Sequence, residues 1–204
     1  TEVAMLKAIE EKGFKPDVTA GLSLGEYGAL AASGVMSAED VFKVVRKRGI
    51  YMQEAVPNGG AMVAVLGLDT AVIEKICEET EGFVSIANYN CPGQIVITGE
   101  EGAAQAAVEK LVAAGAKRCV PLKVSGPFHS PMLTGAGEKL AAELEHVTIG
   151  EIRIPYIANV TADYVTDKAE VKPLLEKQVS SSVRWQQTVE RMIADGVDTF
   201  VEIG

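Results

Sequence analysis

The 204-residue sequence contains only three cysteines, Cys77, Cys91 and Cys119, and they are widely spaced. An odd number at these spacings fits neither a disulfide framework nor a zinc site, and is typical of a protein in a reducing cytoplasm. The sequence also lacks any apolar run near the roughly 20 residues that cross a bilayer. We therefore expect no transmembrane helix, no structural metal and a cytoplasmic location.

Positive charge is scarce as well. The chain has 19 Lys and Arg against 28 Asp and Glu, for a net charge of −9, and no block of basic residues. This balance argues against nucleic acid and against an anionic membrane as partners. With 48% hydrophobic residues the chain can still bury a core, so we expect a folded domain rather than a disordered segment.

The order of predicted elements indicates an α/β protein with two domains. Residues 59–125 read as strand, helix, strand, strand, helix, strand, which is the pattern of a small ferredoxin-like unit. Residues 1–58 and 126–204 alternate helices with short β-rich segments at 16–20, 154–158 and 199–204, which predicts a parallel sheet flanked by helices. The small unit would then be an insert within the larger domain.

A glycine-rich turn between the first predicted strand and the following helix carries a candidate nucleophile. Residues 21–25 read Gly-Leu-Ser-Leu-Gly, the G-x-S-x-G pattern, in the strand-to-helix context that makes the pattern informative. Small residues let the backbone turn sharply and expose the hydroxyl of Ser23. The N–H of Leu24, at the start of the helix, would then face a developing oxyanion. The alternative is an ordinary turn with a capping serine.

A serine nucleophile needs a base, and the chain has only two histidines. His129 lies in a loop with several breakers directly after the small unit, where functional residues concentrate. His146 ends a predicted helix beside acidic residues, and that position accounts for it without chemistry. We therefore predict His129 as the base, with a solvated loop histidine as the alternative.

These motifs resemble the malonyl-CoA:acyl carrier protein transacylases, the acyltransferases of fatty-acid and polyketide synthesis. The similarity follows the order of the family and extends over most of the chain, at residues 21–27, 48–57, 90–94, 127–130, 159–160 and 201–204. The resemblance implies an α/β-hydrolase-like large domain with a parallel sheet and an inserted ferredoxin-like small domain.

The resemblance also implies roles for individual residues. Ser23 corresponds to the acylated serine, His129 to its catalytic partner, and Arg48 to the arginine that binds the malonyl carboxylate. Gln178 corresponds to the glutamine whose main-chain carbonyl orients the histidine. Without the resemblance, Arg48 would be a surface cation and Gln178 a solvated helix residue.

The implied reaction is transfer of malonyl from malonyl-CoA to the phosphopantetheine thiol of acyl carrier protein, through a malonyl-serine. No cofactor or metal is required, because thioester and ester lie close in energy, and a monomer is expected. The alternatives are a serine thioesterase or acyl hydrolase, a trans-acting acyltransferase of a polyketide pathway, and a non-catalytic module that docks a carrier protein. The tight turn that carries the serine, residues 21–25, is the nucleophile elbow, and hydrolases share it.

Three departures from the family pattern stand out. Leu22 occupies the position where the family usually has histidine, an early Gly-Gln-Gly segment is missing, and no Pro-Gly follows the terminal Glu-Ile-Gly. The missing glutamine helps to form the oxyanion hole in the family. We therefore expect a chain that lacks an N-terminal segment and the extreme C-terminus of the enzyme.

Overall fold

The computed structural model describes residues 1–124 and 126–204. Ser125, the last residue of the predicted insert, lies outside the described residues. No helix among the described residues is both long and apolar enough to cross a membrane.

The middle of the chain forms a four-stranded antiparallel sheet. Its elements are β1 (Gly60–Leu66), α4 (Thr70–Glu78), β2 (Val84–Cys91), β3 (Gln94–Glu100), α5 (Glu101–Ala113) and β4 (Arg118–Pro121). The strand order β2-β3-β1-β4, with two helices as crossovers, confirms the predicted ferredoxin-like fold. The inward-facing side chains of the sheet bury an aliphatic core with α4 and α5, including Val65, Ile73, Ile97 and Leu111.

Helices dominate the rest of the chain. They are α1 (Glu2–Glu10), α2 (Leu24–Ala32), α3 (Ala38–Ala55), α6 (Thr134–Leu144), α7 (Val171–Ser180) and α8 (Trp185–Ala194). Ser37 caps the start of helix α3, because its Oγ accepts from the N–H of Asp40 at 3.1 Å. Apolar faces of α2, α3, α6 and α7 share one core, which includes Tyr27, Leu140 and Leu175.

The parallel sheet is far shorter than the sequence pattern predicts. One parallel bridge joins Thr19 to Tyr156, and β5 (Tyr156–Ile157) pairs antiparallel with β6 (Tyr164–Val165). Residues 199–204 form no strand. Their backbone makes no hydrogen bond with the other described residues, and a β-rich segment becomes a strand only where a neighbouring backbone pairs with it.

Two contacts fix the inserted sheet against the helices that carry the site. At the edge of the sheet, the N–H of Tyr89 in β2 donates to the carbonyl of Val183 at 2.9 Å, and the N–H of Val183 donates to the carbonyl of Ala87 at 2.8 Å. On one face of the sheet, Phe128 packs against Met62, Ala87 and Val96, and also against the helical core. The residue after Phe128 is His129, so the insert helps to place that loop.

Candidate active site

Ser23 lies at a strained turn between the segment 16–20 and helix α2. Its backbone φ is +53° and ψ is −102°, a conformation that a residue with a side chain adopts only when its surroundings impose it. A Cβ on Gly21 would lie 2.0 Å from the carbonyl oxygen of Gly25, so the chain turns this tightly only with glycine at position 21. A Cβ on Gly25 would meet nothing within 4 Å. The first glycine of the motif is therefore a steric requirement and the second is not.

The structure brings His129 to Ser23. The Oγ of Ser23 lies 2.7 Å from Nε2 of His129, and Nδ1 of the same ring lies 2.9 Å from the main-chain oxygen of Gln178. His129 has a positive φ of 58°. The residue after His129 stabilises this loop, because the Oγ of Ser130 donates to the carbonyl of Pro127 at 2.7 Å.

These contacts define the tautomer of His129. A carbonyl oxygen can only accept a hydrogen bond, so Nδ1 of His129 is protonated and donates to the main-chain oxygen of Gln178. Nε2 is then unprotonated, and its lone pair accepts from the hydroxyl of Ser23. Burial, and then the positive charge of Arg48, lower the pKa of His129 from 6.5 to about 4. The imidazole is therefore neutral near pH 7, which is the state a general base requires.

The side chain of Arg48, on α3, also reaches Ser23. Its Nη2 donates to the Oγ of Ser23 at 3.0 Å, and its guanidinium lies 5.5 Å from the centre of the Tyr27 ring. The residue is only 6% exposed. Within the described residues its Nε has no hydrogen-bond partner, and none of the ion pairs there includes Arg48. A buried cation outside any direct ion pair is costly, and an anionic ligand beside it would offset that cost.

Leu24 is the first residue of α2, so helical geometry provides no carbonyl acceptor for its N–H. It follows Ser23 directly and is available to a developing oxyanion. Leu22, on the other side of the serine, is 36% exposed and borders a cleft of about 640 Å³. Residues of α1, most of residues 16–22 and most of residues 197–204 also line this cleft, whereas Ser23 and His129 do not.

The five residues singled out from the sequence thus lie around one point. Gln178 contributes its side chain as well as its carbonyl, because Nε2 donates to the carbonyl of Ser23 at 2.9 Å. His146, the other histidine, is exposed beyond the end of α6. No group of three or more His, Cys, Asp and Glu residues in the described part of the chain is arranged to hold a metal ion.

Two buried polar residues of the site were not predicted from the sequence. Asn159 brackets the elbow: its Oδ1 accepts from the N–H of Ser23 at 2.6 Å, and its Nδ2 donates to the carbonyl of Gly21 at 2.7 Å. Glu26 lies beneath the elbow on α2 with no exposed surface. Both residues lie in segments that resemble the family, 21–27 and 159–160, but the resemblance assigns neither of them a role. The other local signal for Glu26 is a carboxylate in an otherwise Ala- and Leu-rich helix.

Comparison with known proteins gives a consistent result. The acyl transferase domain family matches residues 1–204. The malonyl CoA-acyl carrier protein transacylase of Bacillus subtilis (strain 168) is 47% identical over 208 residues, covering 100% of this chain and 66% of the relative. The crystal structure of MCAT from Streptococcus pneumoniae has a TM-score of 0.95 and 47% identity, covering 100% of this chain and 67% of the other.

A third similar structure includes a carrier protein. It is described as PlMCAT:AntF (holo), a type II PKS acyl-carrier protein in complex with its malonyl-transacylase. This chain matches it with a TM-score of 0.93 and 40% identity, covering 96% of this chain and 65% of the other. The chain thus spans about two thirds of the length of the relatives that it matches.

Proposed function

Because the chain belongs to the acyl transferase domain family, we propose that the protein carrying it transfers malonyl from malonyl-CoA to the phosphopantetheine thiol of an acyl carrier protein. The malonyl group would pass through an ester on Ser23. The names of the relatives support this donor and this acceptor. The observation that carries the proposal is the contact of 2.7 Å between the hydroxyl of Ser23 and the lone-pair nitrogen of a neutral His129.

In the first half-reaction His129 accepts the proton of Ser23 on Nε2 as the oxygen attacks the thioester carbonyl. The imidazolium that forms donates through Nδ1 to the carbonyl of Gln178, 2.9 Å away. The N–H of Leu24 stabilises the oxyanion of the tetrahedral intermediate. When this intermediate collapses, the C–S bond breaks, the proton passes from Nε2 to the sulfur of CoA, and malonyl-Ser23 remains.

Arg48 supplies the selectivity for malonyl over acetyl. The malonyl carboxylate must leave water to reach Ser23, and a buried guanidinium offsets that cost through charge-assisted hydrogen bonds. Nε of Arg48 is buried and has no hydrogen-bond partner among the described residues, so the guanidinium keeps an unsatisfied donor. In the structure Nη2 of Arg48 donates to the Oγ of Ser23. In this proposal the same side chain also binds the carboxylate of the substrate.

The second half-reaction uses the same groups in reverse. The carrier's phosphopantetheine thiol gives its proton to His129 and attacks the ester carbonyl of malonyl-Ser23. The C–O bond breaks, the proton returns to Oγ, and the malonyl thioester leaves on the carrier. We infer that this exchange needs no metal or nucleotide, because the thioester and the ester lie close in energy. We further infer a cytoplasmic location, in keeping with three unpaired cysteines, and a monomeric enzyme.

Intact-protein mass spectrometry tests the proposal. The complete protein is incubated with malonyl-CoA, with and without a carrier protein, and the Ser23→Ala variant serves as control. We expect one malonyl group on the wild type, none on Ser23→Ala, and transfer of the group when the carrier is added. Release of free malonate without a carrier would favour a hydrolase, and the absence of any adduct would favour a non-catalytic docking module.

A further inference from the structure

Glu26 lies at a junction between the two elements that flank the elbow. One of its oxygens, Oε2, accepts from Nε2 of Gln178 at 2.7 Å and from the backbone N–H of Asn159 at 3.2 Å. Gln178 belongs to α7, and Asn159 follows β5. A single buried carboxylate on α2 therefore ties together two segments that approach it from distant parts of the sequence.

Each partner of Glu26 acts directly on the serine–histidine pair. The amide nitrogen of Gln178 donates to both Glu26 and the carbonyl of Ser23, so both of its protons are used. With the side chain anchored in this way, the main-chain oxygen of Gln178 is directed at Nδ1 of His129. Asn159 holds the elbow on either side of the nucleophile, through Ser23 and Gly21.

We propose that Glu26 is a positioning residue for acyl transfer, which aligns His129 through Gln178 and the elbow of Ser23 through Asn159. Glu26 touches no reacting atom, so its effect passes through these two partners. The inference rests on the proposed function and adds to it a residue that the motif alone does not assign a role.

The charge of Glu26 gives this alignment a dependence on pH. Burial raises the pKa of Glu26 from 4.5 to about 7, although its hydrogen bonds and Arg48 of α3 act in the opposite direction. The other ionisable groups that face it are Tyr27 of α2 and Tyr156 of β5, and burial raises the pKa of both phenols, which stay neutral. Both donors bind a carboxylate more strongly than a neutral acid. Protonation below pH 7 therefore weakens the alignment, while His129, with a pKa of about 4, is still neutral.

The test compares Glu26→Gln, which keeps an acceptor oxygen without charge, with Glu26→Leu, which removes the acceptor. Glu101→Leu is the matched control, because Glu101 also lies in the first turn of a helix but is exposed. Two rates are measured on the complete protein between pH 5 and 9: acylation of Ser23 by malonyl-CoA, and labelling of Ser23 by a fluorophosphonate. The second rate reports the alignment of the pair without reference to the natural substrate.

We expect Glu26→Leu to slow both rates by a factor on the order of 10 to 100, the scale of a small misplacement of catalytic groups, with the KM for malonyl-CoA within twofold of wild type. The wild-type rates should fall on acidification through pH 7. Glu26→Gln should lose this dependence and run about fivefold below wild type at pH 8, because hydrogen bonds to charged acceptors are roughly twice as strong as neutral ones. Glu101→Leu should match wild type.

A double substitution separates positioning from general stability. Because Glu26 acts through Gln178 as well as through Asn159, Glu26→Leu combined with Gln178→Leu should be little slower than Glu26→Leu alone. Multiplied effects, or wild-type rates and pH profile in Glu26→Leu, would overturn the inference. If Glu26→Leu does not fold, the pH dependence of the rates of Glu26→Gln is the test. Rates that still fall below pH 7 would overturn the inference, and rates that do not change with pH would support it. Failure of malonyl-CoA to acylate the wild type, with fluorophosphonate labelling intact, would instead refute the proposed function.

Discussion

Acidification should destabilise this fold through His129, by an amount that follows from its pKa. The unfolded chain takes up a proton on this residue below about pH 6.5, whereas the folded protein does so only near pH 4. The stability that the neutral imidazole provides is present above pH 6.5 and is lost as the pH falls towards 4. At about 1.4 kcal/mol per pH unit, the total loss approaches roughly 3.4 kcal/mol, of which about 2.5 kcal/mol falls between pH 7.5 and 4.5.

Urea unfolding measures this loss, followed by the fluorescence of Trp185, the single tryptophan. The wild type and His129→Gln are compared at pH 7.5, 6.0 and 4.5. Because glutamine does not titrate, the free energy of unfolding of the wild type should fall by about 2.5 kcal/mol relative to the variant over this range. Glu26 titrates in both proteins and cancels in the difference.

His146 provides the control, because it is exposed and His146→Gln should follow the wild type at each pH. If the wild type and His129→Gln gave parallel curves, His129 would not be held neutral by its surroundings. The assignment of this imidazole as a ready base would then be refuted.

Three further predictions concern the elbow and the pocket. Gly21→Ala should lower the free energy of unfolding by roughly 2 kcal/mol or more in the same urea assay, because its Cβ would lie 2.0 Å from a carbonyl oxygen. Gly25→Ala should be tolerated, because its Cβ would meet nothing within 4 Å. Equal losses in the two variants would contradict the steric argument. Asn159→Leu should slow acylation of Ser23 by a factor on the order of 10 or more, and an unchanged rate by mass spectrometry would remove Asn159 from the site. Arg48→Ala should shift Ser23 from malonyl towards acetyl loading, and Arg48→Lys should restore only part of the preference; an unchanged ratio in competing malonyl-CoA and acetyl-CoA would count against its role.

Local patterns predicted much of this fold. The helices and strands of the insert are bounded by residues with local effects, such as the capping Asp69, whose Oδ1 accepts from the N–H of Ala71 at 2.9 Å. The α/β fold class and the resemblance to the transacylases are both confirmed by the similar structures and relatives. The structure has fewer parallel strands than the pattern predicts, because a strand needs a neighbouring backbone to pair with. The backbone of residues 199–204 makes no hydrogen bond with the other described residues.

The roles of Glu26 and Asn159 could not be predicted for a different reason. Their contacts join positions more than 130 residues apart, so no spacing in the sequence records them. Ser23 and His129 were predictable because a nucleophile and its base have recognisable local settings, a tight turn and a loop. A buried glutamate in a helix has no recognisable local pattern, and its hydrogen-bond partners can be identified only from the tertiary structure. The assignments of Ser23, His129 and Arg48 stay predictions until the acylation experiments are done.

The antiparallel pairing of β1 with β4 has a consequence for how the chain folds. The N–H of Leu122 donates to the carbonyl of Met62 at 2.9 Å, so the chain leaves the insert beside the point where it entered. Ser23 and His129 are 106 positions apart. Once the sheet has formed, the 60 positions that separate Met62 from Leu122 no longer lengthen the loop between them. Closing the remaining loop of about 46 residues costs only about 0.7 kcal/mol less than closing the full one. We therefore expect the insert to affect the order of folding steps more than the final stability. Its four strands pair with one another, so the sheet should form early, and the pairing of Ser23 with His129 should be a late step.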